Sequence, residues 1–166
     1  LRQIEQEGLV SYEANKGCRV KKLTIQEIYE MSLLRADLEI LAVNVCKGNY
    51  SDASLKEMEI HVERIDEYDK ERNLGKIIEE DQIFHELLVR EPGLSYLMKL
   101  WHMLDVTNFA VYSTLDSLGL LCYGKIGRNH RELLECVKTR DVEVITDNLK
   151  HHYISVSEFV RKVMER

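Results

Sequence analysis

The sequence has few of the residues that interrupt helices: one proline and eight glycines in 166 positions. Leu, Glu, Lys and Ile are abundant instead, and these lose least on entering a helix. Four cysteines, Cys18, Cys46, Cys122 and Cys136, are scattered without a C-x-x-C pair. That spacing excludes a zinc ribbon and a thioredoxin-like motif and suits buried free thiols in a reducing cytoplasm. No apolar run approaches the roughly 20 residues that span a membrane. There is no signal peptide, and Leu1 in place of Met leads us to expect that the true start lies upstream. Hydrophobic residues at 45% and charged residues at 31% place the chain near soluble averages, which argues against disorder, rods and fibrous repeats.

The net charge of −6 speaks against an extended nucleic-acid surface, because phosphate neutralisation needs clustered Lys and Arg. The charge is uneven, however. Residues 1–22 hold five basic groups against three acids, and the rest holds 18 against 26. A small basic piece joined to an acidic body points to two jobs in one chain.

The opening LRQIEQEGLV reads as the end of a helix stopped at Gly8. A small hairpin is expected next, with its turn at Asn15-Lys16-Gly17 and alternating residues on either side. From Thr24 the period becomes helical. Thr24-Ile-Gln-Glu27 is a capping box, and Met31, Leu34, Leu38, Leu41 and Val45 predict one buried stripe on the first long helix. Further helices are predicted at about 51–73, with Leu55, Met58, Val62 and Ile65 inward, at 76–90, and at 94–115 as a more buried segment. Two more follow, on either side of a turn at 139–141. The expected fold is therefore all-α, an antiparallel bundle of about six helices preceded by a β-hairpin.

The informative residues are polar ones on stripes that should be apolar, since burial of a charge or an imidazole is costly without a partner or a metal. Asp81 and His85 lie four apart on Ile77, Asp81, Phe84, His85, Leu88. His130 lies on the stripe of Ile126, Leu133 and Val137, and His152 on that of Ile145, Leu149 and Val156. If the last two helices form a hairpin about Asp141, His130 and His152 are each eleven residues from the turn and face each other. Three imidazoles and a carboxylate suit Zn²⁺ or Ni²⁺, admit Mn²⁺ or Fe²⁺, and do not choose among them. Ordinary readings exist as well: a single core histidine held by hydrogen bonds, or an i, i+4 Asp–His contact. His61, His102 and His151 look like surface residues, and a small rotation of the last helix would exchange His151 for His152.

These residues also carry a family likeness. LRQIEQEGLV with NKGCRV, then LLRADLE, DQIFHELL, NHRELLECVKTRD and HHY together resemble the FadR-type branch of the GntR transcription regulators. The likeness covers nearly the whole chain. It implies residues 1–22 as the C-terminal remnant of a winged helix-turn-helix domain and 23–166 as a helical effector-binding (FCD) domain. Asp81, His85, His130 and His152 map onto the family's metal ligands. The implied function is a cytoplasmic, homodimeric regulator that binds DNA and a small carboxylic acid, with no membrane partner and no enzymatic activity. On that reading Arg35, which also has Glu39 as an intrahelical partner, pairs with the acid, and Asn108 and Tyr112 supply polar contacts. Arg2, Asn15, Lys16, Gly17 and Arg19 are the remaining DNA-contacting candidates. The chain departs from the family at Pro92-Gly93-Leu94 and in having few arginines on the fourth helix, which bears on the identity of the effector. The competing reading is a metalloenzyme on a helical bundle whose Asp/His cluster activates water.

Overall fold

A computed structural model describes residues 10–13, 17–20 and 22–164. Two short strands, β1 (Val10–Glu13) and β2 (Gly17–Val20), pair antiparallel with Val10 opposite Val20. The first segment, 1–9, lies outside the described residues.

The body is helical. Helix α1 (Ile25–Cys46) starts at Thr24, whose side chain accepts from the Glu27 amide while the Glu27 carboxylate accepts from the Thr24 amide, a reciprocal cap that satisfies two otherwise orphaned donors. Lys47 ends it in the left-handed region. Helix α2 (Asp52–Glu71) is capped by Ser51, and α3 (Leu74–Arg90) by Asn73. The segment read as one fourth helix is divided into α4 (Ser95–Met103) and α5 (Asp105–Ser117), which meet at Leu104. Helix α6 (Ile126–Lys138) and α7 (Val142–Met164) then form a hairpin around residues 139–141.

Helix α1 packs along α7, and α2 along both α3 and α6. The main core lies between them: Met58, Val62 and Ile65 of α2, Ile77, Phe84 and Leu88 of α3, Leu133 and Val137 of α6, and Ile145 and Leu149 of α7. Burial of these side chains, worth about 1.5–3 kcal/mol each, is the main force holding the bundle together. The fit of α6 on α2 is close enough to require glycine. A Cβ on Gly127 would stand 2.6 Å from the Asp66 Cα.

Two expectations about burial are corrected. On α1 the apolar stripe faces outward, with Leu34, Leu41 and Val45 all close to half exposed, while Ile28, Ser32, Arg35, Ala36, Glu39, Ala42 and Val43 face the core. Helices α4 and α5 bury Leu97, Trp101 and Ala110 but expose Tyr96, Leu100, Met103 and Phe109. A second apolar cluster joins Leu23 and Ile28 to Ala110 and Leu115, and the Leu23 amide donates to Thr114 Oγ1 at 3.1 Å. No helix among the described residues is long and apolar enough to cross a membrane.

Candidate metal and ligand site

Helix α6 positions His130, and its start is secured from another helix. Its N-cap residue Lys125 supplies no capping side chain. Buried Asp69 of α2 does so instead, accepting from the amides of Gly124 at 2.8 Å and Gly127 at 3.1 Å. A carboxylate at this point also complements the positive end of the helix dipole. One turn further on, the His130 side chain points into the bundle and donates from Nδ1 to the Ile126 carbonyl at 2.8 Å.

That hydrogen bond fixes the tautomer and leaves His130 Nε2 facing Asp81 Oδ1 at 2.8 Å. Two acceptor lone pairs repel at that distance, so the approach requires a proton on Nε2 or a cation shared by both groups. Two ligand atoms bonded at right angles to one ion at about 2.1 Å would be about 3 Å apart, close to the separation found. Asp81 is oriented from its other sides by the Tyr112 hydroxyl at 2.7 Å and the Asn108 amide at 2.8 Å.

His85 follows Asp81 by one turn, with Nε2 at 3.9 Å from Asp81 Oδ1. Its Nδ1 faces Glu39 Oε1 at 2.9 Å and the Tyr153 hydroxyl at 3.1 Å. His152 completes the cluster, its ring centroid 4.8 Å from that of His130 and 5.1 Å from that of His85. One nitrogen from each of the three histidines lies within 4.8 Å of the others. The neighbouring His151 is exposed. His102 is exposed beside Asp105. His61 departs from the surface expectation: it is buried against Glu80 at 2.6 Å.

The electrostatics suit a cation. Burial alone would raise the Asp81 pKa, but the His130 hydrogen bond and the charges of His85, His130 and Arg35 hold it well below the usual carboxylate range. Burial pulls His85 and His152 well below the ordinary imidazole value and so favours the neutral, ligating form. For His130, burial acts the same way but the Asp81 hydrogen bond outweighs it, raising the pKa. Burial pushes Glu39 up to about 8, against the opposing influence of Arg35 and Tyr153.

Arg35 stands beside this cluster, buried to 3% exposure. Its guanidinium carbon lies 3.9 Å from the centre of the Trp101 ring and its Nε donates to the Tyr153 hydroxyl at 3.4 Å. Both terminal nitrogens are buried with no hydrogen-bond partner among the described residues. Glu39, one turn along, gives its carboxylate to Tyr153 and His85. Burial works against the charge on Arg35, yet Tyr153, Glu39 and Asp81 outweigh it and raise the pKa. Arg35, Asp81, the three histidines, Asn108 and Tyr112 all line one cavity of about 290 Å³.

The sequence reading singled out seven of these residues. It gave Glu39 no contact with His85 and missed Tyr153 and Trp101. Nothing in the sequence marked Tyr153, because adjacent helix positions point about 100° apart, and His151 on the other side of His152 is exposed. Of the DNA-contacting candidates, Arg2, Asn15 and Lys16 lie outside the described residues, whereas Gly17 and Arg19 fall on β2.

Residues 27–155 match the FCD domain, and the chain belongs to that family, the helical domain of FadR-type GntR transcription regulators. Among its relatives is the HTH-type transcriptional regulator YdhC of Bacillus subtilis (strain 168), 28% identical over 99% of this chain and 74% of that protein. The fold is shared with E. coli McbR/YncC (TM-score 0.75, 15% identity, 98% of this chain and 77% of that one). It is shared too with a GntR-family regulator from Pseudomonas syringae pv. tomato str. DC3000 (TM-score 0.69, 22% identity, 99% and 68%). This is a family of transcription regulators and not of enzymes.

Proposed function

We propose that the chain is the sensing part of a ligand-responsive, cytoplasmic regulator. Residues 23–166 hold a divalent ion and a small carboxylic acid, and residues 1–22, with the β1–β2 pair as a wing, are the end of the DNA-binding domain they control. The observation that carries this reading is the Arg35 guanidinium, buried with both terminal nitrogens unpaired among the described residues and set beside three converging imidazoles. A buried charge whose donors are only partly paired carries a cost that an anion would remove.

Asp81, His85, His130 and His152 would hold the ion, with Zn²⁺ or Ni²⁺ favoured by three nitrogens and one oxygen, and Mn²⁺ or Fe²⁺ compatible. When bound, the ion supplies positive charge and coordination positions that a carboxylate can share. The chain's own residues do the rest. Glu39 and the Ile126 carbonyl orient His85 and His130 through the ring nitrogens facing away from the cluster. A cation on His85 also favours the ionised form of Glu39. Arg35 forks onto the carboxylate, and Trp101 keeps its plane fixed. Asn108 and Tyr112 can give the acid the hydrogens they now give Asp81. Acid binding changes DNA affinity to the extent that it favours one arrangement of the DNA-binding domains, whose contacts in this chain include Arg2, Asn15, Lys16, Gly17 and Arg19. A homodimer is supported by the outward apolar stripe of α1 and by the exposed Leu100 and Met103 of α4, a helix that packs on α1 through Leu38, Ala42, Leu97 and Trp101.

Elemental analysis tests the metal assignment. One equivalent per chain is expected in the wild type and less than about a tenth of that in His130→Ala and His152→Ala. Little metal in the wild type, or full retention in both variants, overturns the assignment. Small carboxylic acids should raise the Tm of the wild type and not of Arg35→Ala.

A further inference from the structure

The wall of the cavity is not uniform, and three rows of residues give it an axis. Along α1 the lining passes from Arg35 to Met31, and along α5 from Asn108 and Tyr112 to Leu115. Along α7 it passes from His152 and Tyr153 to Val156 and Phe159. In each row the chemistry changes in the same sense, from charged or hydrogen-bonding to apolar. Leu115 and Val156 belong to the apolar cluster around Ile28, separate from the core that surrounds the histidines. Seven residue steps of helix separate His152 from Phe159, about 10 Å at 1.5 Å per residue.

Charges along this axis are as uneven as the apolar surface. Arg35 is the buried cation of the cavity, and the Ser32 hydroxyl beside it already donates to the Ile28 carbonyl. Lys125 also lines the space but stands exposed, where water satisfies it. The other polar lining is Lys125 and Asn129 of the α6 side and Ser155 of α7. A second carboxylate, or a row of hydroxyls, directed along the wall of Leu115 and Val156 would meet apolar side chains there, at the cost that burial of unpaired polar groups carries.

We propose that the ligand is an amphiphilic monocarboxylate, with its single carboxylate at the Arg35 end and an apolar chain or ring extending towards Leu115, Val156 and Phe159. This rests on the carboxylate reading above and adds the class of acid. Each methylene buried along the wall should strengthen binding roughly three- to fourfold. Hexanoate, four methylenes longer than acetate, is then expected to bind at least about eightyfold tighter.

The test is calorimetric titration of the protein with acetate, butanoate, hexanoate, 3-phenylpropanoate and citrate, with and without one equivalent of Zn²⁺. Affinity should rise from acetate to hexanoate and be lowest for citrate. In Val156→Asn the hexanoate affinity should fall about tenfold, since roughly two methylenes lose their apolar contact, while acetate binding is unchanged. Should that variant not fold, the chain-length series on the wild type decides alone. Acetate binding as tightly as hexanoate, or citrate tightest of all, overturns the amphiphilic assignment and leaves the carboxylate reading in place. Absence of binding by every acid, with or without Zn²⁺, overturns both.

Discussion

Arg35 and Glu39 lie one turn apart on the same inward face of α1, and each has a use other than pairing with its neighbour. Glu39 accepts from Tyr153 at 2.5 Å and meets His85 at 2.9 Å, while Arg35 keeps two nitrogens unpaired among the described residues. Glu39→Gln keeps the shape and removes the charge behind His85, and a loss of about 10- to 100-fold in metal affinity is expected. Competition with a chelator measures it, and unchanged affinity would show that the Glu39–His85 contact does nothing for the metal. Arg35→Met replaces a buried, incompletely paired charge by an apolar side chain of similar length. The ligand-free variant should match or exceed the wild type in stability, while its Tm no longer responds to carboxylic acids. Denaturant titration checks the first part, and a loss of more than about 2 kcal/mol would mean that the guanidinium is already satisfied in the free protein.

At the scale of elements, the sequence was most readable where local chemistry decides. Thr24 and Glu27 announce α1, and the turn at Asp141 sets His130 and His152 opposite each other because both are equally distant from it. The division at Leu104 left no such mark. Neither Gly nor Pro occurs there, and Leu104 keeps helix-like angles of φ −94° and ψ −1° while its amide shortens its reach to Trp101. The closeness of α6 to α2 was equally silent, since a glycine inside a helix signals only a weak helix former until its neighbours are known. Gly127→Ala would drive a methyl group into Asp66, and destabilisation of about 1–3 kcal/mol is expected. Because His130 lies one turn further along α6, the same variant should hold less metal. A thermal melt and elemental analysis together test this, and wild-type values in both would show that the two helices have room to spare.

For the whole molecule, the apolar stripe of α1 shows where periodicity misleads. Hydrophobic spacing marks a face that leaves water, without saying whether a core or another subunit covers it. Here the inward face carries Ser32, Arg35 and Glu39 because the site is built there, so the more apolar residues were left outside. Leu41→Glu would put a charge in the middle of that stripe. If the stripe is the dimer face, light scattering should find the wild type dimeric and the variant monomeric at the same concentration, with the helical circular dichroism preserved. A variant that stays dimeric would place the subunit contact elsewhere. The join at Leu23 acts at this scale too. Three residue steps separate it from Val20, at most about 10 Å of extended chain, and Leu23 itself is pinned to Thr114 near the end of α5. Only two residues of chain therefore lie between the strand pair and this contact. The helix that gives Asn108 and Tyr112 to the cavity is thus the same one that holds the start of the helical body two residues from the strand pair, so a movement of α5 at the ligand is felt within one short step of the wing.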